Sequence, residues 1–446
     1  MAKNLAGRGD EAGPVASVSR FLERIEDVNE SINAFCSIVS AEVLQRDASE
    51  SLARWRSGTE LSPLDGVLVS VKDTIAQRGQ ACRLGSEGRP DVPATTNAPA
   101  MEKLLAAGMI IVGRTTMPDH GIKATTHGGL HGTARNPWDP ALTPGGSSGG
   151  GAASVAAGLT RIAVGSDGGG SLRIPAAFCG IVGFKPTHGR VPVTPGGPFD
   201  DIGHQGPLAA SVREAAALLD VISHPAAPRT APMVQGIDLS GLSYTVWQTD
   251  TIVDPAIQEG IDRTVATLAV LGGADVPRAA NDLDRARALN AWEFTFRSGA
   301  AAAVQAMPPG AKMDPSLADL ARIGASFTDH DRQAARDDRA SVRRSVDELF
   351  HQVDILVSPV TATLPFAVGH DVPPGSDLTY FHEWSPWTHP FNVTGNPAIS
   401  IPTGLSDSGL PTAVHLVAGR GRDGLLLQVA AQLEAALGAP PLPDLS

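Results

Sequence analysis

Apolar residues recur along this chain with two different periods. Val18, Phe21, Leu22, Ile25 and Val28 fall at helical spacing, which predicts a helix over 15–33. The run LDGVLVSV (64–71) is short, apolar and rich in valine, and reads as a buried strand. An alanine-rich helix over 98–108 follows, with Gly108 as its C-cap, and MIIVGRT (109–115) reads as the next strand. A short small-residue helix (152–158) precedes a strand, RIAVGSD (161–167). The alternation of helix and strand places the chain in the α/β class.

From residue 225 the pattern changes. HPAAPRTAPM (224–233) reads as a surface connection, and LSYTVWQ (242–248) as a strand. The next helix has Asp254 as N-cap, Pro255 at its first position and Gly272 after its end. Residues 280–350 are rich in Ala, Arg and Asp and read as mostly helical. VDILVSPV (353–360) and AISIPTG (398–404) return to strand, and a helix over about 423–437 closes the chain. No repeat of fixed period is found.

Composition narrows the function classes. Of 446 residues, 42% are hydrophobic and 18% charged, enough apolar material for a large core. The formal net charge of −12, with no basic run, argues against nucleic acid or an anionic membrane as partner. The N-terminal MAKNLAGRGDEAGPVAS has no apolar segment of a secretory signal, and no uncharged apolar stretch is long enough to span a bilayer. The three cysteines, Cys36, Cys82 and Cys179, are far apart and suggest neither a disulfide framework nor a metal site, which points to a cytoplasmic protein. The basic residues are 29 arginines and only six lysines, so a lysine at the end of an apolar strand, Lys72, stands out.

Two glycine-rich clusters surround serines: GGSSGGG (145–151) and GGGS (168–171). Both sit at the ends of predicted elements, unlike a flexible linker. Neither is followed by the lysine of a phosphate loop. Ser147 and Ser148 each fit the G-x-S-x-G elbow of an α/β-hydrolase, with His127-Gly128-Gly129 upstream as an oxyanion motif, although the prolines of ARNPWDPALTP are foreign to a central strand. A third reading joins the clusters to Lys72. A serine hydroxyl needs a base, and a lysine serves once desolvation lowers its pKa. Consecutive glycines before Ser171 bare backbone N–H groups toward a developing oxyanion.

Lys72 in VSVKDT, Ser147 in GGSSGG and Ser171 in GSDGGGSLRIPAAFCGIVGFKPT, with the two serines 24 residues apart, resemble the amidase signature family. ERIEDVNESINAF, GRTTMPDHG, TARNPWDP and FNVTGNPAISIPTG resemble further family segments, so the likeness covers nearly the whole chain. The resemblance implies one large domain, a twisted mixed sheet covered by helices on both faces. Its signature core would be about 64–224, a variable substrate-side region about 225–352, and a return to the sheet about 353–437. It implies Ser171 as nucleophile, Ser147 after a cis peptide bond as proton relay, and Lys72 as base. The N–H groups of Gly168, Gly169, Gly170 and Ser171 would form the oxyanion hole. No cofactor or metal is implied. Many relatives are dimers, so a homodimer is open to this chain.

Ser148 is read as a hydrogen-bonding neighbour, and Asp167 with Arg173 as a buried ion pair shaping the turn. Lys185 ends another strand but does not match the family's base. The chain departs from the family at Gly168, where a larger residue such as Thr is common, and at Ile174, where the catalytic chains of tRNA amidotransferases typically have Gln. YFHEWSPWTHPF (380–391) holds five of the chain's 20 aromatic residues. Tyr380, Trp384 and Trp387 are therefore candidate walls of a pocket for an aryl or apolar group, against ordinary core packing. The reading that results is an amidase acting on a small-molecule amide. The alternatives are the amidase-like chain of a glutamine-dependent tRNA amidotransferase, working with a partner, and an esterase using Ser147 or Ser148 with a histidine.

Overall fold

Eleven strands among the described residues form one sheet, in the order β1-β3-β2-β4-β6-β5-β10-β11-β9-β7-β8. The strands are β1 (Phe35–Ile38), β2 (Leu68–Lys72), β3 (Ile110–Thr115), β4 (Ile162–Asp167), β5 (Val182–Lys185), β6 (His204–Ala209), β7 (Ser243–Val246), β8 (Ala274–Asp275), β9 (Ile355–Pro359), β10 (Ala398–Leu405) and β11 (Pro411–Ala418). This computed structural model describes residues 13–446 apart from 195, 232, 233, 235–237, 278–282, 439, 444 and 446. The start of the N-terminal stretch read for a signal, residues 1–12, and the end of the 224–233 connection lie outside the described residues. No helix among those described is long and apolar enough to cross a membrane.

The sheet is mixed. β2 runs parallel to β3 and β4, and β7 parallel to β8 and β9. The remaining pairs are antiparallel. Both faces are apolar because strand side chains alternate. Val69, Val71, Ile111 and Val164 point into a core shared with the helices Pro99–Ala106, Val212–Ile222, Pro255–Val270 and Asp423–Leu437. Leu68, Ile110 and Val112 point the other way, onto the helices Pro14–Ile32 and Ala41–Ser57. Ala163 and Leu208 meet the helices Gly149–Ala156 and Arg173–Cys179 on that second face.

Most predicted elements form within a few residues of their expected limits. Asp254 caps its helix by accepting the Ala256 N–H at 2.9 Å, and Gly272 follows the end at φ 95°. The region around 280–350 folds as three helices, Arg285–Gln305, Pro315–Gly324 and Asp329–Gln352. The helix expected over 152–158 begins earlier, at Gly149, so the first glycine cluster is partly helical.

Candidate active site

β2 and β4 lie side by side and parallel, so their C-terminal ends emerge together. This edge is where open α/β sheets place their ligands. β2 ends on Lys72, and β4 ends on Asp167 and passes directly into the second glycine cluster. Lys72 is 1% exposed. Its Nζ lies 2.7 Å from Ser147 Oγ, 2.9 Å from Ser148 Oγ and 3.0 Å from Ser166 Oγ. Three hydroxyls and no carboxylate surround the amine. Burial lowers the ammonium pKa from its ordinary value to about 7, against an opposing pull from Asp167.

The first glycine cluster brings Ser147 to this amine by close packing. A Cβ on Gly146 would sit 2.5 Å from the Thr125 carbonyl oxygen, so no side chain fits there. The Gly146–Ser147 peptide is cis. No strand leads into Ser147, and no histidine hydrogen-bonds Ser147 or Ser148 among the described residues. His127 instead faces Asp371 at 3.2 Å and Thr125 at 3.2 Å. The elbow reading is therefore overturned, because both its strand and its base are missing. Lys185, fully buried, donates to the Pro186 and Asn396 carbonyls rather than to a serine.

The second cluster can be followed peptide by peptide. A trans peptide points its C=O and N–H in opposite directions. The Asp167 carbonyl accepts from Asn392 Nδ2 at 3.0 Å, that of Gly168 from Trp292 Nε1 at 2.8 Å, that of Gly169 from Thr388 Oγ1 at 2.6 Å, and that of Gly170 from the Ile174 N–H at 2.8 Å. The Gly170 N–H donates to Asp167 Oδ1 at 2.7 Å. It is turned inward and spent, which removes Gly170 from the expected oxyanion donors. The N–H groups of Gly168, Gly169 and Ser171 have no protein acceptor among the described residues.

Beneath the loop, Arg173 and Asp167 form a fully buried bidentate pair, with Nε and NH2 at 3.0 and 2.9 Å from the carboxylate. Arg173 also donates to the Thr388 carbonyl at 2.9 Å and to Asn392 Oδ1 at 2.7 Å. Despite the cost of burial, the Arg173 guanidinium holds the Asp167 carboxyl well below the usual carboxylate range. Asp167 also accepts the Leu172 N–H at 3.1 Å, so one carboxylate fixes both ends of the Gly170–Leu172 turn.

Ser147, Ser166, Gly168, Gly169 and Ser171 open onto a cavity of about 680 Å³. Its apolar wall includes Phe199, Phe296 and Phe381. The aromatic segment expected to supply that wall contributes mainly elsewhere. Trp384 stacks on Phe178 at 5.8 Å and meets Phe366 edge-on, away from the cavity. Trp387 packs among Val342, Val346 and Phe391 in a separate core cluster. Tyr380 is exposed, stacked on His382 and covered by Arg297. These three are not pocket residues. The segment makes a short helix, Phe381–Trp384, and only Phe381 faces the site. Trp384→Ala or Trp387→Ala should each cost about 3–5 kcal/mol of stability and leave acyl-group preference unchanged. Phe381→Ala or Phe296→Ala should shift preference away from aryl and longer acyl groups. Denaturant unfolding and an amide panel on the four variants read both outcomes.

Ser166, Trp292, Thr388 and Asn392 escaped sequence reasoning. Ser166 had a local signal, a hydroxyl near the end of the strand feeding the glycines. Outside the cavity, Cys36, Asp73 and His131 bring three ligand-type atoms within 4.8 Å of one another. Arg114 already pairs with Asp73 at 2.9 Å, and burial pushes the Cys36 thiol up to about 12. That chemistry suits an ion pair rather than a metal centre.

Comparison with known proteins places the chain in a family. The Amidase family profile matches residues 16–427. An acylamidase of Rhodococcus erythropolis is 31% identical over 98% of this chain and 94% of its own. The structure of 6-aminohexanoate cyclic dimer hydrolase complexed with substrate superposes with a TM-score of 0.88, at 28% identity over 99% of this chain and 98% of that one. The crystal structure of a further amidase superposes with a TM-score of 0.85, at 26% identity over 96% of each chain. The chain thus belongs to the Amidase family, and its activity is that of an amidohydrolase.

Proposed function

We propose that Ser171 is the nucleophile, Ser147 the proton relay and Lys72 the base of this amidohydrolase. The observation that carries the reading is the 2.7 Å approach of a buried Lys72 to Ser147, with Ser147 and Ser171 on one cavity wall. Neutral Lys72 takes the Ser147 proton as Ser147 takes that of Ser171. Ser171 Oγ bonds to the amide carbon, and the carbonyl electron pair moves onto oxygen facing the N–H groups of Gly168, Gly169 and Ser171. The C–N bond then breaks, and the proton returns along the relay to the leaving nitrogen. Water attacks the resulting ester and releases the carboxylate. Ser148 and Ser166 hold the lysine amine in place.

The phenylalanine-rich wall supports an amide with an aryl or other apolar acyl group as substrate. Ile174 in place of glutamine favours hydrolysis over amidotransfer. Three free cysteines suit the reducing cytoplasm. A fluorophosphonate probe followed by peptide mapping tests the assignment: the label should sit on Ser171. A label on Ser147 or Ser148 would sink it.

A further inference from the structure

We propose that Trp292 is a positioning residue that aligns one oxyanion donor and links that alignment to the occupant of the acyl pocket. The inference rests on the assignment of Ser171 and the glycine N–H groups made above.

Three peptides of the nucleophile loop present an N–H with no protein acceptor among the described residues, and each is held from behind through its carbonyl. Two of the holds come from close to the loop's own support. Ile174 is three residues past Ser171, and Asn392 is part of the Asp167–Arg173 network. The third hold is different. The Gly168 carbonyl is bound by the indole N–H of Trp292, from the helix Arg285–Gln305. The Gly169 N–H therefore faces away from Trp292, and its direction depends on that one hydrogen bond. Gly168 has no side chain to restrict its own torsions, and a Cβ there would touch nothing within 4 Å. The loop lacks steric restraint at the residue where the indole supplies a polar one.

The same indole forms the back of the substrate wall. It stacks on Phe296 with centroids 4.5 Å apart and meets Phe381 edge-on at 5.3 Å. Both phenylalanines line the cavity. A Cβ on Gly169 would lie 3.0 Å from Trp292 Cζ2 and 3.1 Å from Phe381 Cζ, so loop, indole and wall are in direct contact. An acyl group that fills the cavity presses Phe296 and Phe381 onto the indole and keeps its N–H on Gly168. A short acyl group leaves that contact loose. Chain length is then read in the maximal rate as well as in binding.

The test uses fluorophosphonates of increasing alkyl length, in which Ser171 Oγ bonds to phosphorus and fluoride leaves. Trp292→Phe keeps a ring against Phe296 and Phe381 but removes the donor. Replacing Trp292 by benzothienylalanine removes the donor and keeps the fused ring. Both should lower the maximal rate of phosphonylation about tenfold, less than the loss of a direct oxyanion donor. The inhibition constant should stay within about twofold, and the rise of maximal rate with alkyl length should flatten. A wild-type rate with benzothienylalanine, or a change confined to the inhibition constant, would overturn the proposal. Lys72→Ala run in parallel separates the two claims. If it labels normally, the catalytic assignment fails; if it does not label and the Trp292 variants behave as wild type, only the role of Trp292 fails.

Discussion

Lys72→Ala will lose amide hydrolysis by about 10²–10⁴-fold, with labelling of Ser171 slowed to match. Lys72→Arg will fail as well, because a guanidinium does not give up its proton near neutral pH. The wild-type profile supplies an independent check. Lys72 must be neutral to accept a proton, so kcat/KM should rise with pH and level off above about 7, where burial places its pKa. Stability carries the same signature. The unfolded lysine titrates at about 10.4, so between pH 7 and that value the unfolded chain holds a proton that the native state lacks. By linkage, stability falls as pH drops from the unfolded pKa toward about 7, because the native state gives up a proton that the unfolded chain keeps. Lys72→Met should therefore raise Tm most at pH 6 and progressively less toward pH 10. A pH-independent difference between the two proteins would show that Lys72 titrates normally in the fold.

Arg173→Leu is expected to be the most destabilising single change at the site, by about 3–5 kcal/mol in denaturant unfolding. The reason is asymmetry. The Asp167 carboxylate is fully buried and would lose both guanidinium contacts while its two backbone donors remain. Removing both charges, as in Asp167→Leu with Arg173→Leu, should recover much of the stability, since a buried pair need not beat an apolar replacement. Activity should not return, because the Gly170 and Leu172 N–H groups would have no carboxylate to fold the turn around. A double variant as unstable as Arg173→Leu alone would mean that the pair is worth more than its desolvation. Partial activity in the double variant would mean that the loop holds its shape without it.

The candidate site was largely legible because its signals are local. Lys72 closes a valine-rich run, and each serine sits inside its own glycine cluster, so residue type, spacing and a neighbouring element all pointed one way. What failed to show was contact across the chain. Trp292 reaches Gly168 over 124 positions and Thr388 reaches Gly169 over 219. Neither periodicity nor motif spacing encodes such pairs. The aromatic segment misled for a related reason: Phe381 and Trp384, three residues apart, touch different neighbours, and composition does not say which side faces the cavity. In the sheet, β1, β6, β8 and β11 went unread. β6 carries Gly206 and Pro207, and β11 opens on Pro411, residues that ordinarily punctuate strands. The neighbouring strands of the large sheet override that preference.

The helix Arg285–Gln305 contributes both to the wall and, through one indole, to the reacting loop. On the proposed role of Trp292, substrate range and turnover in this chain are inherited together. A recombinant that takes this helix from a relative with a different acyl preference acquires the new wall but forfeits the hold on Gly168 unless the incoming segment brings its own donor. Evolution along this lineage would then proceed by compensated pairs of changes, one in the helix and one at residue 168, rather than by free exchange of specificity modules.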